Sequence, residues 1–319
     1  MITTQDKRLP TPLIGHIRKL LEMIRFSHTI FALPFALMAV LMAWKAPMAG
    51  SESTGFDWIQ FLGVLICMVG ARSAAMSFNR LVDRKIDAAN PRTQGRHLPA
   101  GSLSVGSVVV FTLLSATVFF AGTLLFLPNW LPLAASLPVL GVLLGYSYAK
   151  RFTSLAHFWL GVALMLAPIC AWVAIRGSEV IRDPGDMLPA IILGLAVMFW
   201  VSGFDMIYAC QDYQYDLAHN LRSIPVRLGI AGALRAAAFC HLVMVGLLAC
   251  LPLSHDWMGP DLGLGWVYWI GVVAVGVLLV YEHWLVRPDD LSRVNAAFFN
   301  VNSFVSIGLL LVVAIDLLV

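Results

Sequence analysis

Charge is scarce in this sequence. Lys, Arg, Asp and Glu make up 12% of its 319 residues, where a soluble domain carries about 25%. There is no basic tail, and a formal net charge of +3 gives no reason to expect nucleic acid as a partner. The five cysteines (Cys67, Cys170, Cys210, Cys240 and Cys250) show no CxxC or metal-type spacing, so they read as small packing residues. No Ser-His-Asp grouping or glycine-rich phosphate loop is visible, which sets aside those routes to hydrolysis and nucleotide binding. His28, His97 and His219 have no metal-ligand spacing to one another, and His157, His241, His255 and His283 read as structural or interfacial. No linker, low-complexity tract or soluble domain interrupts the chain.

What is abundant is apolar surface. At 60% hydrophobic residues, the composition cannot be wrapped around one water-soluble core, and it belongs in lipid. Runs of membrane-spanning length lie near 26–45, 57–78, 105–127, 131–148, 154–175, 188–210, 229–251, 264–286 and 296–319. The third and fourth are parted only by Pro128-Asn129-Trp130. The first is long, begins late and lacks a small-residue cleavage site, so it reads as a retained span rather than a signal. Alternating the loops puts 18 of the 21 basic residues on one side, leaving Lys45, Arg176 and Arg182 on the other. By the positive-inside tendency that basic side, with the N-terminus, is cytoplasmic, as in a bacterial-type inner membrane. Residues 1–25 form a cytoplasmic segment before a single membrane domain, 26–319. Within that segment Leu13, Ile17, Leu20, Leu21 and Ile24 share one helical face beside Arg18, Lys19 and Arg25, the pattern of a helix lying in the membrane surface.

Two acidic clusters stand out at the ends of spans. The first reads Asn79-Arg80-x-x-Asp83-x-x-x-Asp87, and the second Tyr208-x-x-x-Asp212-x-x-x-Asp216, with Asp205 just ahead. On an α-helix a four-residue step turns about 400°, so each triplet predicts a ladder on one stripe, which Asp205 would join. Carboxylates at a bilayer require a counter-ion. Mg²⁺ bridging to a diphosphate suits them, because that ion takes one or two carboxylates plus phosphate oxygens and water. The competing reading is plain ion pairing of Asp83 and Asp87 with Arg80, Arg84 and Lys85. Lys150 and Arg72, near the cytoplasmic ends of their spans, are candidate fixed cations for the diphosphate, against the commoner fate of snorkelling to the membrane border.

The loops after the two clusters echo each other: acid, Asn90, Arg92, Thr93, Pro99, Gly101 in one, and acid, Asn220, Arg222, Ser223, Pro225, Gly229 in the other. They follow spans four apart and crossing in the same direction, the pattern of two parallel four-helix repeats plus one extra helix. Such a repeat would face the ladders across a central cavity. Pro99 with Gly101 and Pro225 with Gly229 mark the return into a helix; Gly141, Gly145, Gly161 and Gly203 read as close-packing points between spans.

With these motifs and the Tyr146-x-x-x-Lys150 element, the chain resembles the UbiA superfamily of intramembrane aromatic prenyltransferases. Asn79, Asp83 and Asp87 match its NxxxDxxxD element, and Tyr208, Asp212 and Asp216 its YxxxD/DxxxD element. The text around Arg25-Phe-Ser-His28 and Asn90-Pro-Arg92-Thr93 is similar to the 4-hydroxybenzoate polyprenyltransferase-like branch, which includes enzymes of menaquinone routes acting on a naphthoate. Arg80 departs from relatives that carry Asp there. The resemblance implies an all-α ring of about nine transmembrane helices around a laterally open cavity, capped by the motif loops. It implies Mg²⁺ on Asp83, Asp87, Asp212 and Asp216, a polyprenyl diphosphate donor and a phenolic aromatic acid acceptor. Asn79, Arg80, Tyr146, Lys150 and Tyr208 would line the substrates, Lys150 and Arg72 would supply charge, and Asp205 would orient or deprotonate the acceptor. A cation-coupled transporter would place its acids mid-bilayer at broken helices, and a lipid-synthesis phosphotransferase would show one compact Asp-Gly…Ala-Arg motif, which is missing.

Overall fold

A computed structural model describes residues 12–24, 31–48 and 54–319. Residues 1–11 and 25–30, which include Arg25 and His28 and part of the text behind the resemblance, lie outside the described residues. The helices are α1 (Pro12–Met23), α2 (Leu33–Lys45), α3 (Trp58–Ala89), α4 (Val105–Thr123), α5 (Leu131–Gly145), α6 (Ala156–Arg182), α7 (Leu188–Ala209), α8 (Tyr213–Ala218), α9 (Ile224–Cys250), α10 (Trp266–Leu285), α11 (Val294–Ala296) and α12 (Asn302–Asp316). No strand is found among the described residues. Among the described residues eight helical stretches are long and apolar enough to cross a bilayer, and α2 is a shorter apolar ninth. Each predicted span therefore has its helix, and the protein is an all-α integral membrane protein.

Length decides where the acids emerge. Asp57 caps α3 by accepting from the amides of Ile59 and Gln60, and the helix then runs for 32 residues. At 1.5 Å per residue that is about 48 Å, against roughly 30 Å of hydrocarbon. The excess carries Asn79, Asp83 and Asp87 past the apolar layer. α7 is shorter, at 22 residues, and stops at Ala209. A 3₁₀ turn, Cys210–Asp212, and then α8 carry the second cluster onward.

The two motif loops re-enter the membrane by related means. Ser104 caps α4 by accepting from the Ser107 amide, and Ser223 caps α9 by accepting from the Val226 amide. Gly101 and Gly229 both take φ +69°, a conformation that glycine adopts without steric cost. Their places differ: Gly101 precedes its capping serine, whereas Gly229 breaks α9 after its first turn.

α7 is buried between α6 and α9. Its Trp200 is fully buried, 5.0 Å from both the Phe35 and Phe204 rings, and donates to Asn302 at 2.6 Å. At the far end of the bundle Arg176 donates to both oxygens of Asp186 and to the carbonyls of Ala46 and Pro47. This basic residue is thus a neutralised, 1% exposed structural tie. α1 forms as predicted, but its apolar face is divided. Leu20, Met23 and Ile24 are buried against Leu103 and Val108, while Ile17 and Leu21 remain exposed.

Three of the four expected glycine contacts are present: Gly145 faces Trp159, Gly203 faces the His241 ring, and Gly161 lies against the Met198 carbonyl and Ser202. Gly141 is a correction, since a Cβ there would meet nothing within 4 Å. Gly161→Leu should therefore destabilise the bundle by about 1–3 kcal/mol through overpacking, while Gly141→Leu should leave the thermal midpoint in detergent unchanged; equal shifts for the two would contradict this packing.

Candidate active site

Both acidic clusters lie at the same end of the bundle, and side chains join them. From the loop after α3, Asn90 donates to Asp212 Oδ1 at 3.1 Å. Arg92 grips the same carboxylate with Nε, at 2.7 Å, and Nη2. Its Nη1 donates to the Tyr208 hydroxyl at 2.9 Å. In return, Tyr215 of α8 donates to the Ile86 carbonyl of α3 at 2.9 Å. Burial disfavours charge on Arg92, yet the hydrogen bond and charge of Asp212, with Tyr208 adding, hold its guanidinium more firmly protonated than usual.

Within the first ladder the predicted stripe holds. Asn79 Nδ2 donates to Asp83 Oδ2 at 3.0 Å, which is the i, i+4 neighbour relation. Asp83 also accepts from Arg151 at 3.3 Å. Asp87, 5% exposed, takes two bonds from Arg96, at 2.7 and 2.8 Å, with Arg80 3.8 Å away. Arg80 is buried and also donates to Asn79 Oδ1 at 3.4 Å. Arg84 instead turns to the Leu81 carbonyl. Ion pairing of the acids is therefore real, but its main cations are Arg92, Arg96 and Arg151 rather than Arg84 and Lys85.

The second ladder needs correcting. Tyr208 ends α7, Asp212 closes a 3₁₀ turn with φ −94° and ψ 3°, and Asp216 lies in α8. The straight stripe inferred from spacing is thus interrupted. Asp205, on α7 with Tyr208, has its Oδ2 2.7 Å from Nδ1 of His157 on α6. That histidine, 48 positions away and read as structural from sequence, carries no spacing signal that would have revealed the pair. The Tyr208 ring lies 4.4 Å from the Phe298 ring, tilted by 36°, and sits under Arg92.

Lys150 and Tyr146 belong to one 3₁₀ turn, Tyr146–Arg151. Lys150 is exposed, and its charge acts on Asp83, Asp212 and Asp216 together. Tyr146 points elsewhere. With Arg72 and Met76 it lines the motif-side end of an almost wholly apolar cavity of ≈ 320 Å³ among α3, α4, α5 and α6. Cys67 and Cys170 also line this cavity, and all five cysteines are free.

Among the described residues, a bundle of apolar helices with its two acidic clusters joined at one end and an apolar cavity within it has the architecture of an intramembrane transferase. A profile of the UbiA prenyltransferase family matches residues 30–304, and the chain belongs to that family. It is 28% identical over 285 residues to a 4-hydroxybenzoate octaprenyltransferase of Cupriavidus necator, covering 88% of this chain and 91% of that one. Among solved structures, the apo UbiA homolog of Aeropyrum pernix is 31% identical with a TM-score of 0.77, covering 91% of this chain and 98% of that one. A UbiA homolog of Archaeoglobus fulgidus bound to DMAPP and Mg²⁺ is 17% identical, with a TM-score of 0.67 over 94% of this chain and 99% of that one.

Because Arg92 ties the first motif loop to Asp212, Arg92→Gln should speed cleavage of the 93–104 segment by proteinase K several-fold in detergent. Arg84→Gln, which breaks only a contact within its own helix, should not. Unchanged cleavage of the Arg92 variant would show that the bridge does not hold the loop.

Proposed function

We propose that this protein transfers a polyprenyl group from a polyprenyl diphosphate to 4-hydroxybenzoate, a step of ubiquinone-type quinone synthesis, with its acidic motifs on the cytoplasmic side of a bacterial-type inner membrane. The observation that carries the reading is the junction of two acid ladders at one end of a bundle that encloses an apolar cavity lined by Arg72 and Tyr146. The matched relative's name supports the acceptor, and the sidedness of the basic residues supports the orientation.

The donor set fits Mg²⁺. Asp83, Asp87, Asp212 and Asp216 offer hard oxygen ligands, and a fold neighbour was captured with DMAPP and Mg²⁺. Among the described residues no three His, Cys, Asp or Glu side chains already converge as a metal cage. None is needed, since Mg²⁺ takes one or two carboxylates and completes its shell with phosphate and water. Bound there, it would neutralise the diphosphate and stabilise the charge that builds on it as the allylic C–O bond breaks.

The chain's own groups supply the rest. Lys150, exposed beside three of the acids, offers the departing diphosphate a fixed positive charge. Arg92 and Arg151 are placed to move from carboxylate to phosphate oxygens as the ligand enters. Asn79 orients Asp83, and Tyr208 steadies Arg92. Arg80, tied between Asn79 and Asp87, keeps the first ladder in place rather than meeting substrate. Arg72 lies eleven residues before Asp83, about 16 Å down the helix; lining the cavity with Tyr146, it suits the carboxylate of the acceptor rather than the diphosphate. A cavity of ≈ 320 Å³ accommodates an aromatic acid and the first prenyl units, so the remaining tail must extend into lipid.

Asp83→Ala and Asp212→Ala should each abolish product formation in membranes given donor, acceptor and Mg²⁺, with insertion preserved. Full turnover by both, or undiminished turnover in excess EDTA, would refute the metal assignment. To decide the acceptor, purified protein should be offered 4-hydroxybenzoate and a dihydroxynaphthoate with one polyprenyl diphosphate, and the product identified by mass. Exclusive prenylation of the naphthoate would move the protein to the menaquinone route.

A further inference from the structure

Arg222 holds in the second motif loop the place that Arg92 holds in the first, but it meets different partners. Arg92 closes on Asp212, Arg96 on Asp87 and Arg151 on Asp83. Arg222 instead donates through Nη1 to the Phe152 carbonyl at 2.5 Å, and its backbone N–H donates to the Lys150 carbonyl at 2.9 Å. Arg227, in the first turn of α9, is exposed. Among the described residues no carboxylate pairs with either guanidinium. Both line one pocket of ≈ 360 Å³, together with Phe152, Thr153 and Ser154. The pocket lies between the turn that precedes α6 and the start of α9.

α6 and α9 are both long and apolar enough to cross a bilayer, so a pocket at the start of each lies where water gives way to lipid. Exposed apolar side chains mark that border: Phe152 in the pocket, Leu155 next to Ser154, and Leu228 next to Arg227. A guanidinium stays charged, and two of them facing one pocket without a carboxylate call for an anion. Their planar forks fit phosphate oxygens, and the Thr153 and Ser154 hydroxyls can donate beside them. A free phosphate would satisfy the charge alone. A phosphodiester carrying acyl chains would also cover Phe152, Leu155 and Leu228.

We propose that this pocket binds the phosphodiester of an anionic phospholipid from the leaflet at the motif end of the bundle, with Arg222 and Arg227 as its cationic ligands. Basic pockets between membrane helices take such headgroups. The contacts of the same loop extend to the acidic motifs: Arg222 holds the Lys150 carbonyl, and the Ser223 side chain reaches Asp216. A headgroup bound here therefore braces the turn carrying Lys150 against the start of α9. The proposal needs only a membrane-embedded bundle and stands apart from the prenyl-transfer reading.

The test titrates full-length protein in detergent with phosphatidylglycerol, with phosphatidylcholine of the same chains, or with sodium pyrophosphate, and follows the first bound ligand by native mass spectrometry. Phosphatidylglycerol should bind tightest. Arg222→Gln and Arg227→Gln should each weaken it about fivefold, the usual scale for one basic residue at an anionic headgroup, and should leave phosphatidylcholine unchanged. Arg287→Gln, which removes the same charge from the exposed loop after α10, should bind phosphatidylglycerol like wild type. Because Arg222 also holds a backbone carbonyl, Arg227→Gln decides the matter if the Arg222 variant fails to fold. Equal binding of the two lipids by wild type, or an Arg227→Gln variant indistinguishable from Arg287→Gln, would overturn the site. Pyrophosphate bound as tightly as phosphatidylglycerol, and lost with the same arginines, would overturn the lipid in favour of a soluble anion. No prenyl donor or acceptor enters the assay, so its failure leaves the proposed function untouched.

Discussion

A buried carboxylate at the border of a membrane has to be paired, and the motif end of this protein is organised around that requirement. Asp212 is held by Asn90 and Arg92, Asp87 by Arg96, and Asp83 by Asn79 and Arg151. Most of these partners come from a different segment than the acid they bind. Neutralising the charge therefore also folds the loops over the helix ends and draws the first motif against the second. Removing one member of such a pair leaves the other charge buried and uncompensated, which is the expensive outcome.

The same arrangement separates two solvents for two halves of one substrate. Charged groups gather where α3 outruns the hydrocarbon and where α7 gives way to a 3₁₀ turn. Beneath them the cavity is almost wholly apolar, with Arg72 and Tyr146 at its upper end. A molecule with a diphosphate head and a long isoprenoid tail is matched at both ends. Arginines that hold the acids in the absence of ligand are the groups best able to hold phosphate oxygens in its presence, because the planar guanidinium fork fits carboxylate and phosphate alike.

Much of this was legible in the sequence. Apolar runs located the long helices, and the four-residue spacing of Asn79 and Asp83 correctly implied neighbours on one stripe. The second ladder was misread because spacing assumes one helix throughout, and the chain changes to a 3₁₀ turn at Cys210–Asp212. The cations on the acids were misassigned for a related reason. Arg84 and Lys85 are close in sequence, whereas Arg92, Arg96 and Arg151 reach the acids only after the loops fold back. His157 was invisible for the same reason, since its partner is 48 residues away on another helix. Gly141 resembled the packing glycines in its setting, yet a Cβ there would meet nothing within 4 Å.

The central claim is that the two ladders form one ion site rather than two. Mn²⁺, which takes the same oxygen ligands as Mg²⁺, reports this directly when its binding to purified protein is followed by electron paramagnetic resonance in the presence of a non-reactive polyprenyl diphosphate analogue. The account requires that Asp83→Asn alone and Asp212→Asn alone each abolish analogue-dependent Mn²⁺ binding. If either variant retained full binding on the intact ladder, the ladders would be independent and the proposed site would not exist.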